Sequence, residues 1–259
     1  MPSMLDHESN FLVKALIAAD TGSGKTGALA SLLDAGYNVR VLDFDNGLST
    51  VKNYVKDRSK LANMQYVTLR DELGLLAGRM IIKKANAFQR GMDALDKGGK
   101  LGDGLWEVDV PPLKEWTPQD VLVVDSFSMM GRSALYNVMQ GNAAAMKAPE
   151  IQHYGTAMDN LEKFLGQVTS PVINCNVIIT THLMNIEGTP KLYPEALGSK
   201  LGPKIGRYFD NFWSISITGD KRTFKTKKDG LLGLKCAKNL KDEYPIEDGL
   251  AKIFKELLA

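Results

Sequence analysis

Cysteine is nearly absent. Only Cys175 and Cys236 occur in 259 residues, both within apolar runs, so neither a disulfide framework nor a zinc site is expected and the thiols read as reduced. A charge excess is missing too. Lysine and arginine total 32 against 30 acids, a net charge of +2, so no overall field drives binding to nucleic acid or membrane, and any basic surface must be local. No stretch reaches the length of about 18 uncharged apolar residues that a membrane span needs. The opening MPSMLDHESN places Asp6 and Glu8 where a signal peptide requires a basic patch and an apolar core. These absences predict a soluble, cytoplasmic protein with no membrane partner. No internal repeat or low-complexity linker appears, so one domain is expected over 1–259, with a core over about 11–240 and a terminal helix over 247–258. What is present suits that reading: 44% hydrophobic and 24% charged residues are ordinary for a globular chain. A fold of this size buries roughly three quarters of its unfolded surface.

The segment FLVKALIAADTGSGKTGALASLLDAG, 11–36, carries the most chemistry. It reads as a strand ending near Ala19, a loop over Asp20 to Gly24, and a helix from Lys25 to a stop at Gly36. That is the order a phosphate-binding loop requires. Gly22 and Gly24 let successive N–H groups turn inward toward phosphate oxygens, and the helix N-terminus adds partial positive charge. Thr21, Gly22, Ser23, Gly24, Lys25, Thr26 and Gly27 are the expected nucleotide contacts. Lys25 reaches the β- and γ-phosphates and the Thr26 hydroxyl ligates Mg²⁺. The strict pattern asks for glycine where this chain has Ala19.

Such a loop needs a second carboxylate at the end of a buried parallel strand. VLVVDS, 121–126, supplies Asp125 as the expected magnesium partner, with helix capping as the alternative. NVRVLDFDNGLS, 38–49, predicts a further buried strand ending in Asp43 and Asp45. Asp45 is the candidate to orient and deprotonate attacking water, on the expectation that its strand neighbours the loop strand. Two acids capping a turn before Asn46-Gly47 remain the other reading. NVIITTHL, 176–183, predicts a strand tipped by Thr180, Thr181 and His182 beside the Asp125 strand, which makes His182 a candidate sensor of the γ-phosphate. His7 and His153 have no such context and are expected on the surface.

With ADTGSGKT, VLDFDNG, VLVVDS and VIITTHL in this order, the chain resembles the RecA-like P-loop ATPase cores. Within them it is similar to phage-encoded AAA-type nucleotide-binding proteins, including core-only single-strand annealing and recombination proteins. The resemblance runs from about Phe11 to Leu240. Asp45 falls where that family carries a catalytic glutamate, and the shorter side chain implies a closer approach or slow turnover. The resemblance implies an α/β fold with a mostly parallel central sheet flanked by helices and a C-terminal β-hairpin. It also implies ATP and Mg²⁺, a self-assembling ring or filament, single-stranded DNA, a possible single-strand binding protein as partner, and a phage protein in its host's cytoplasm.

Four further segments bear on partners. Residues 76–104 predict a helix carrying Met80, Ile81, Ala85, Phe88 and Met92, with Arg79, Lys83, Lys84 and Arg90 on its wet face. Residues 129–150, with Met129, Met130, Met139, Met146, Arg132 and Lys147, fall where the resemblance implies a DNA-facing loop, although methionine also fills irregular cores. Residues 184–204 predict a second such loop, and IQHYGTAMDNLEKFLGQV between them an amphipathic helix. Downstream, a short helix is expected around 204–209, then a hairpin turning at Gly219-Asp220 with Lys221, Arg222, Lys225, Lys227 and Lys228 near its tip. Lys200, Lys204 and Arg207 are candidates to offer a cation to a neighbour's γ-phosphate, or form a solvated basic face. A hexameric helicase or packaging motor, a nucleotide-dependent switch and a small-molecule kinase remain the competing functions.

Overall fold

The computed structural model describes residues 12–76, 79–99, 106, 108–139, 148–227 and 230–259. The elements run β1 (Lys14–Ala18), α1 (Lys25–Ala28), α2 (Ala30–Asp34), β2 (Asn38–Asp43), β3 (Met64–Thr68), β4 (Glu72–Leu76), β5 (Arg79–Lys84) and α3 (Ala87–Lys97). They continue through β6 (Asp120–Asp125), α4 (Phe127–Met139), α5 (Ile151–Val168), β7 (Asn176–Thr181), β8 (Leu183–Asn185), β9 (Leu192–Pro194) and α6 (Gly198–Ile205). Last come β10 (Asn211–Thr218), β11 (Lys221–Lys225), β12 (Glu243–Pro245) and α7 (Ile246–Leu258).

Eight strands form the central sheet in the order β12-β11-β10-β1-β7-β6-β2-β3. From β10 to β3 every pairing is parallel, while β11 and β12 add antiparallel edges. This is the mostly parallel α/β architecture expected from the sequence, with the C-terminal hairpin in place. The parallel strands are apolar on both faces because helices cover both. Alternation along each strand divides the core. Leu16, Ala18, Leu122 and Val124 join the cluster holding Phe88, Met130, Leu161 and Leu201 of α3 to α6. Ala15, Ile17, Val121 and Val123 join the opposite cluster, with Leu29, Leu32, Leu250 and Phe254 beside α1, α2 and α7. Gly36, at φ 92, ends α2 in the left-handed conformation that glycine adopts without a steric penalty.

The structure departs from the sequence reading in five places. The strand that leads to Asp45, β2, does not neighbour the loop strand β1: β7 and β6 lie between them. Apolar runs in parallel strands fix burial but not sheet order. Residues 76–104 are not one helix. Strands β4 and β5 pair antiparallel, Leu73 opposite Ile82, and the helix begins only at Ala87, because β-branched Ile81 and Ile82 favour a strand. The stretch after Asp125 is helix α4 to Met139, with Met130 and Met139 buried in the core, so those two methionines are filler and not base wedges. Met146, Lys147, Lys228 and His7 lie outside the described residues. His153 is buried, and its Nδ1 accepts the Glu150 N–H at 2.9 Å at the start of α5. Finally, 184–204 is the small hairpin β8–β9 followed by α6, and the helix expected around 204–209 starts earlier, at Gly198. Helix α5 spans the predicted stretch and buries Leu161 and Leu165 as expected. No helix of the described residues is long and apolar enough to cross a membrane.

Candidate nucleotide site

The carboxyl ends of β1, β7, β6 and β2 meet at one rim of the sheet, and each delivers its polar terminus there. From β1 the chain turns through Gly22 at φ 76 and Gly24 at φ 95, conformations an L side chain resists, before α1 begins at Lys25. Ala19, in the position where the strict motif has glycine, needs no such freedom: among the described residues the one positive φ outside glycine is at Asn46. Its N–H donates to Thr181 O at 3.1 Å, and it is fully buried. The departure from the motif is therefore sterically silent.

Lys25 folds across the loop. Its Nζ donates to Ala19 O at 2.7 Å and Asp20 O at 2.9 Å. Burial lowers its pKa, an effect opposed by the nearby Asp125, Asp45 and Asp20 carboxylates. The same Nζ lies 3.4 Å from His182 Nδ1, and Thr21 Oγ1 is also 3.4 Å from that nitrogen. An ammonium has only protons to offer, so Nδ1 is the acceptor and the His182 proton sits on Nε2. Nε2 faces Asp45 Oδ2 at 3.7 Å. His182 thus bridges the lysine of the loop and the acid of β2.

Thr26 Oγ1 donates to Asp125 Oδ2 at 2.5 Å, while Thr180 Oγ1 donates to Asp125 Oδ1 at 2.5 Å. Both carboxylate oxygens are therefore held by hydroxyls from flanking elements. Burial pushes the Asp125 carboxyl up, against those two hydrogen bonds, and the Asp45 charge adds to the rise. Asp45 behaves oppositely. Burial raises its carboxyl, but the neighbouring His182 imidazole and the hydrogen bond from Ser126 outweigh that and hold it below the usual carboxylate range. Ser126 Oγ donates to Asp45 Oδ1 at 3.0 Å, and the Asp125–Ser126 peptide is cis. Asp43 faces a different task. Its Oδ1 accepts the Asn46 N–H at 2.6 Å and the Gly47 N–H at 3.4 Å, the turn-capping role left open from the sequence, and burial pushes its carboxyl up to about 6.

Thr21, Lys25, Thr26, Asp45, Asp125 and His182 thus converge, although Asp45 arrives from two strands further away than expected. Ser23 Oγ is buried and has no hydrogen-bond partner among the described residues, an orphan donor in the wall of the loop. Gly27 serves by packing: a Cβ there would sit 2.9 Å from the Tyr54 ring, and that tyrosine is 42% exposed beside α1. Lys200 and Arg207 are exposed on or just after α6, and Lys204 lies 3.8 Å from Glu162, so none of the three belongs to this cluster.

Several contacts had no signal in the sequence. Ser128 Oγ lies 3.0 Å from Thr181 Oγ1 and accepts the His182 N–H at 3.1 Å, and the Glu195 N–H donates to His182 O at 2.6 Å. These bonds fasten the end of β7 to α4 and to the segment before α6. Tyr54 and Arg222 reach the loop only through folding; a Cβ on Gly24 would meet Ile246 Cδ1 at 2.8 Å and Arg222 Cδ at 3.4 Å. The Ser-Thr-rich tips DS and TTH were the one cue that hydroxyls would surround Asp125.

Beyond geometry, residues 12–232 match the family model described as an AAA domain. The chain belongs to that family. No curated protein matches the sequence. AAA-domain membership places the chain among the P-loop nucleotide-binding ATPases, and the loop, the sheet and the flanking helices are of that type.

Proposed function

We propose that this AAA-domain protein binds and hydrolyses ATP with Mg²⁺ as part of single-strand DNA annealing or recombination of the phage type, acting as an oligomer. One observation carries the ATPase part: the Thr26–Asp125 pair and the Asp45–Ser126–His182 group converge on the loop lysine, whose Nζ lies 3.4 Å from His182 Nδ1 and feels both the Asp125 and the Asp45 carboxylates. Oxygen donors alone, a threonine hydroxyl and a carboxylate, suit a hard cation such as Mg²⁺. Among the described residues no group of three or more His, Cys, Asp or Glu side chains is placed to hold a metal by itself. That fits an ion carried in with nucleotide phosphates on one or two protein groups. When bound, Mg²⁺ neutralises charge building on the phosphate oxygens.

The remaining roles belong to the chain. The loop N–H groups, the orphan Ser23 hydroxyl and Lys25 hold the phosphates. Asp45, kept ionised by His182 and Ser126, orients water and accepts its proton. Thr180 and Thr26 keep Asp125 in place. Tyr54 offers an aromatic face to the base. The bonds from His182 and Thr181 to Ser128 and Glu195 let occupancy at the γ-phosphate bias α4 and the β9–α6 segment. The DNA part of the proposal is supported by the order and content of the four motifs. Steady-state ATP hydrolysis by the purified chain, with and without single-stranded DNA and with duplex as control, tests it. Stimulation by single strands is expected, and steady hydrolysis indifferent to both DNAs would remove DNA from the account.

A further inference from the structure

A second cavity opens directly off the Asp45–His182 side of the nucleotide site. Its volume is about 510 Å³, and Thr21, Asp45 and His182 form only its inner end. The outer walls come from elements the catalytic cluster does not use: the turn after β3 and the start of β4, with Arg70 and Leu73, and the outer face of α4, with Met129, Arg132 and Tyr136. The turn is fixed to its surroundings. Asp71 Oδ1 accepts the Ala87 N–H at 2.9 Å and Asp71 Oδ2 accepts the Ser133 hydroxyl at 2.7 Å, tying the turn to both α3 and α4. That consumes the one acid among the outer walls. Arg70 and Arg132 are both exposed, and neither has a hydrogen bond or ion pair among the described residues. Beside them stand apolar surfaces that a soluble domain ordinarily covers, with Leu73 44% and Met129 37% exposed.

Two unspent guanidinium groups next to an aromatic ring and a soft apolar wall match one chemistry. Guanidinium forks bind phosphate oxygens in pairs, and a base stacks on tyrosine while methionine and leucine close around it. The volume is of the size that takes one small organic ligand. We propose that this cavity is a subsite for one nucleotide unit, its phosphate held by Arg70 and Arg132 and its base against Tyr136. The unit is either part of a single strand or a free nucleoside monophosphate. The inference rests on the ATPase reading above for what lies at its inner end, and it sets a bound nucleotide beside the water-activating acid. The rival basic surface is weaker. At the β11 hairpin Lys225 pairs with Glu243, and Lys227 with Asp242 at 2.6 Å, so part of that charge is already neutralised.

The test is fluorescence anisotropy of a labelled oligo(dT) of about 20 nucleotides, titrated with full-length chain in Mg-ATP at several salt concentrations, with dTMP as the second probe. Four variants accompany the wild type: Arg70→Ala/Arg132→Ala, Tyr136→Phe, Tyr136→Leu and Lys221→Ala. Thermal melting of each checks the fold. Tenfold or greater loss of oligonucleotide affinity is expected in the double arginine variant. Its slope of log affinity against log salt should become shallower by about 0.7 for each phosphate released. Tyr136→Phe should keep most of the affinity and Tyr136→Leu should lose it. Binding of dTMP but not of oligo(dT), abolished in the double variant, would support the subsite while removing DNA from the proposed function. Oligonucleotide binding unchanged in the double variant, or lost instead in Lys221→Ala, would overturn the subsite and leave the DNA reading standing. Binding of neither probe to the wild type would overturn both.

Discussion

The two ends of the sheet treat buried charge in opposite ways. At the amino ends of the strands the buried charged groups among the described residues, Lys14 and Asp120, are hydrogen-bonded. Lys14 Nζ donates to the carbonyls of Cys175 at 2.7 Å, Ile173 at 3.1 Å and Val168 at 3.4 Å. Asp120 accepts from Arg40 Nη2 at 2.8 Å and from the Thr117 N–H at 2.8 Å, and Arg40 also lies 4.9 Å from the Trp116 ring centre. Burial raises the Asp120 carboxyl, yet the bonds from Thr117 and Arg40 bring it below the usual range. At the carboxyl ends three acids crowd together, Asp43 and Asp125 are pushed upward, and Ser23 Oγ has no partner. One end is arranged for stability. The other holds unsatisfied capacity of the kind a charged ligand fills, and such clustering of perturbed acids marks functional sites.

Substitutions at each end should therefore fail differently. Lys25→Ala should have the largest effect, lowering ATP hydrolysis at least ~1000-fold by removing a cation that meets transition-state charge. Its thermal melting point should hold or rise, since a buried and desolvated ammonium is removed. Arg40→Ala should do the reverse, costing about 3–5 kcal/mol because Asp120 is left buried without its counter-charge. Urea unfolding measures that loss, and turnover per folded molecule should stay at the wild-type level.

A smaller effect is expected from Asp125→Asn. Removing the buried charge relieves repulsion with Asp45 and should raise metal-free stability. Mg²⁺-dependent hydrolysis should fall in the same protein, and a variant that lost stability instead would erase the contrast between the two ends. The mildest effect concerns pH. Asp43 titrates at about 6 in the fold and near 3.8 in the unfolded chain, so between those values the folded state binds the extra proton. Its contribution to stability is present at low pH and declines as pH rises from about 4 to about 6. Asp43→Asn should flatten that part of the stability profile, as read by denaturant unfolding at successive pH values.

Much of this contrast was legible in the sequence because it is local. The order of strand, glycine loop and helix around Lys25 needs only neighbouring residues, and apolar runs ending in Asp125 or His182 identify buried strands with polar tips. Sheet order is not local. Nothing in NVRVLDFDNG says that β6 and β7 separate it from β1, so the route by which Asp45 reaches the site came from the fold. The same limit explains the misread stretch 76–104, where apolar spacing suits a helix until Ile81 and Ile82 find β4 as a partner. Tyr54 beside Gly27 and Arg222 beside Gly24 are contacts across long sequence separations, invisible to any pattern along the chain.

The central claim is that Asp45, held by Ser126 and His182, serves hydrolysis and not nucleotide binding. The direct measurement pairs ATP turnover with the affinity for a fluorescent ATP analogue in wild type and Asp45→Asn. Affinity within about threefold of wild type is expected, with turnover lowered ~100-fold or more. Wild-type turnover in Asp45→Asn would contradict it.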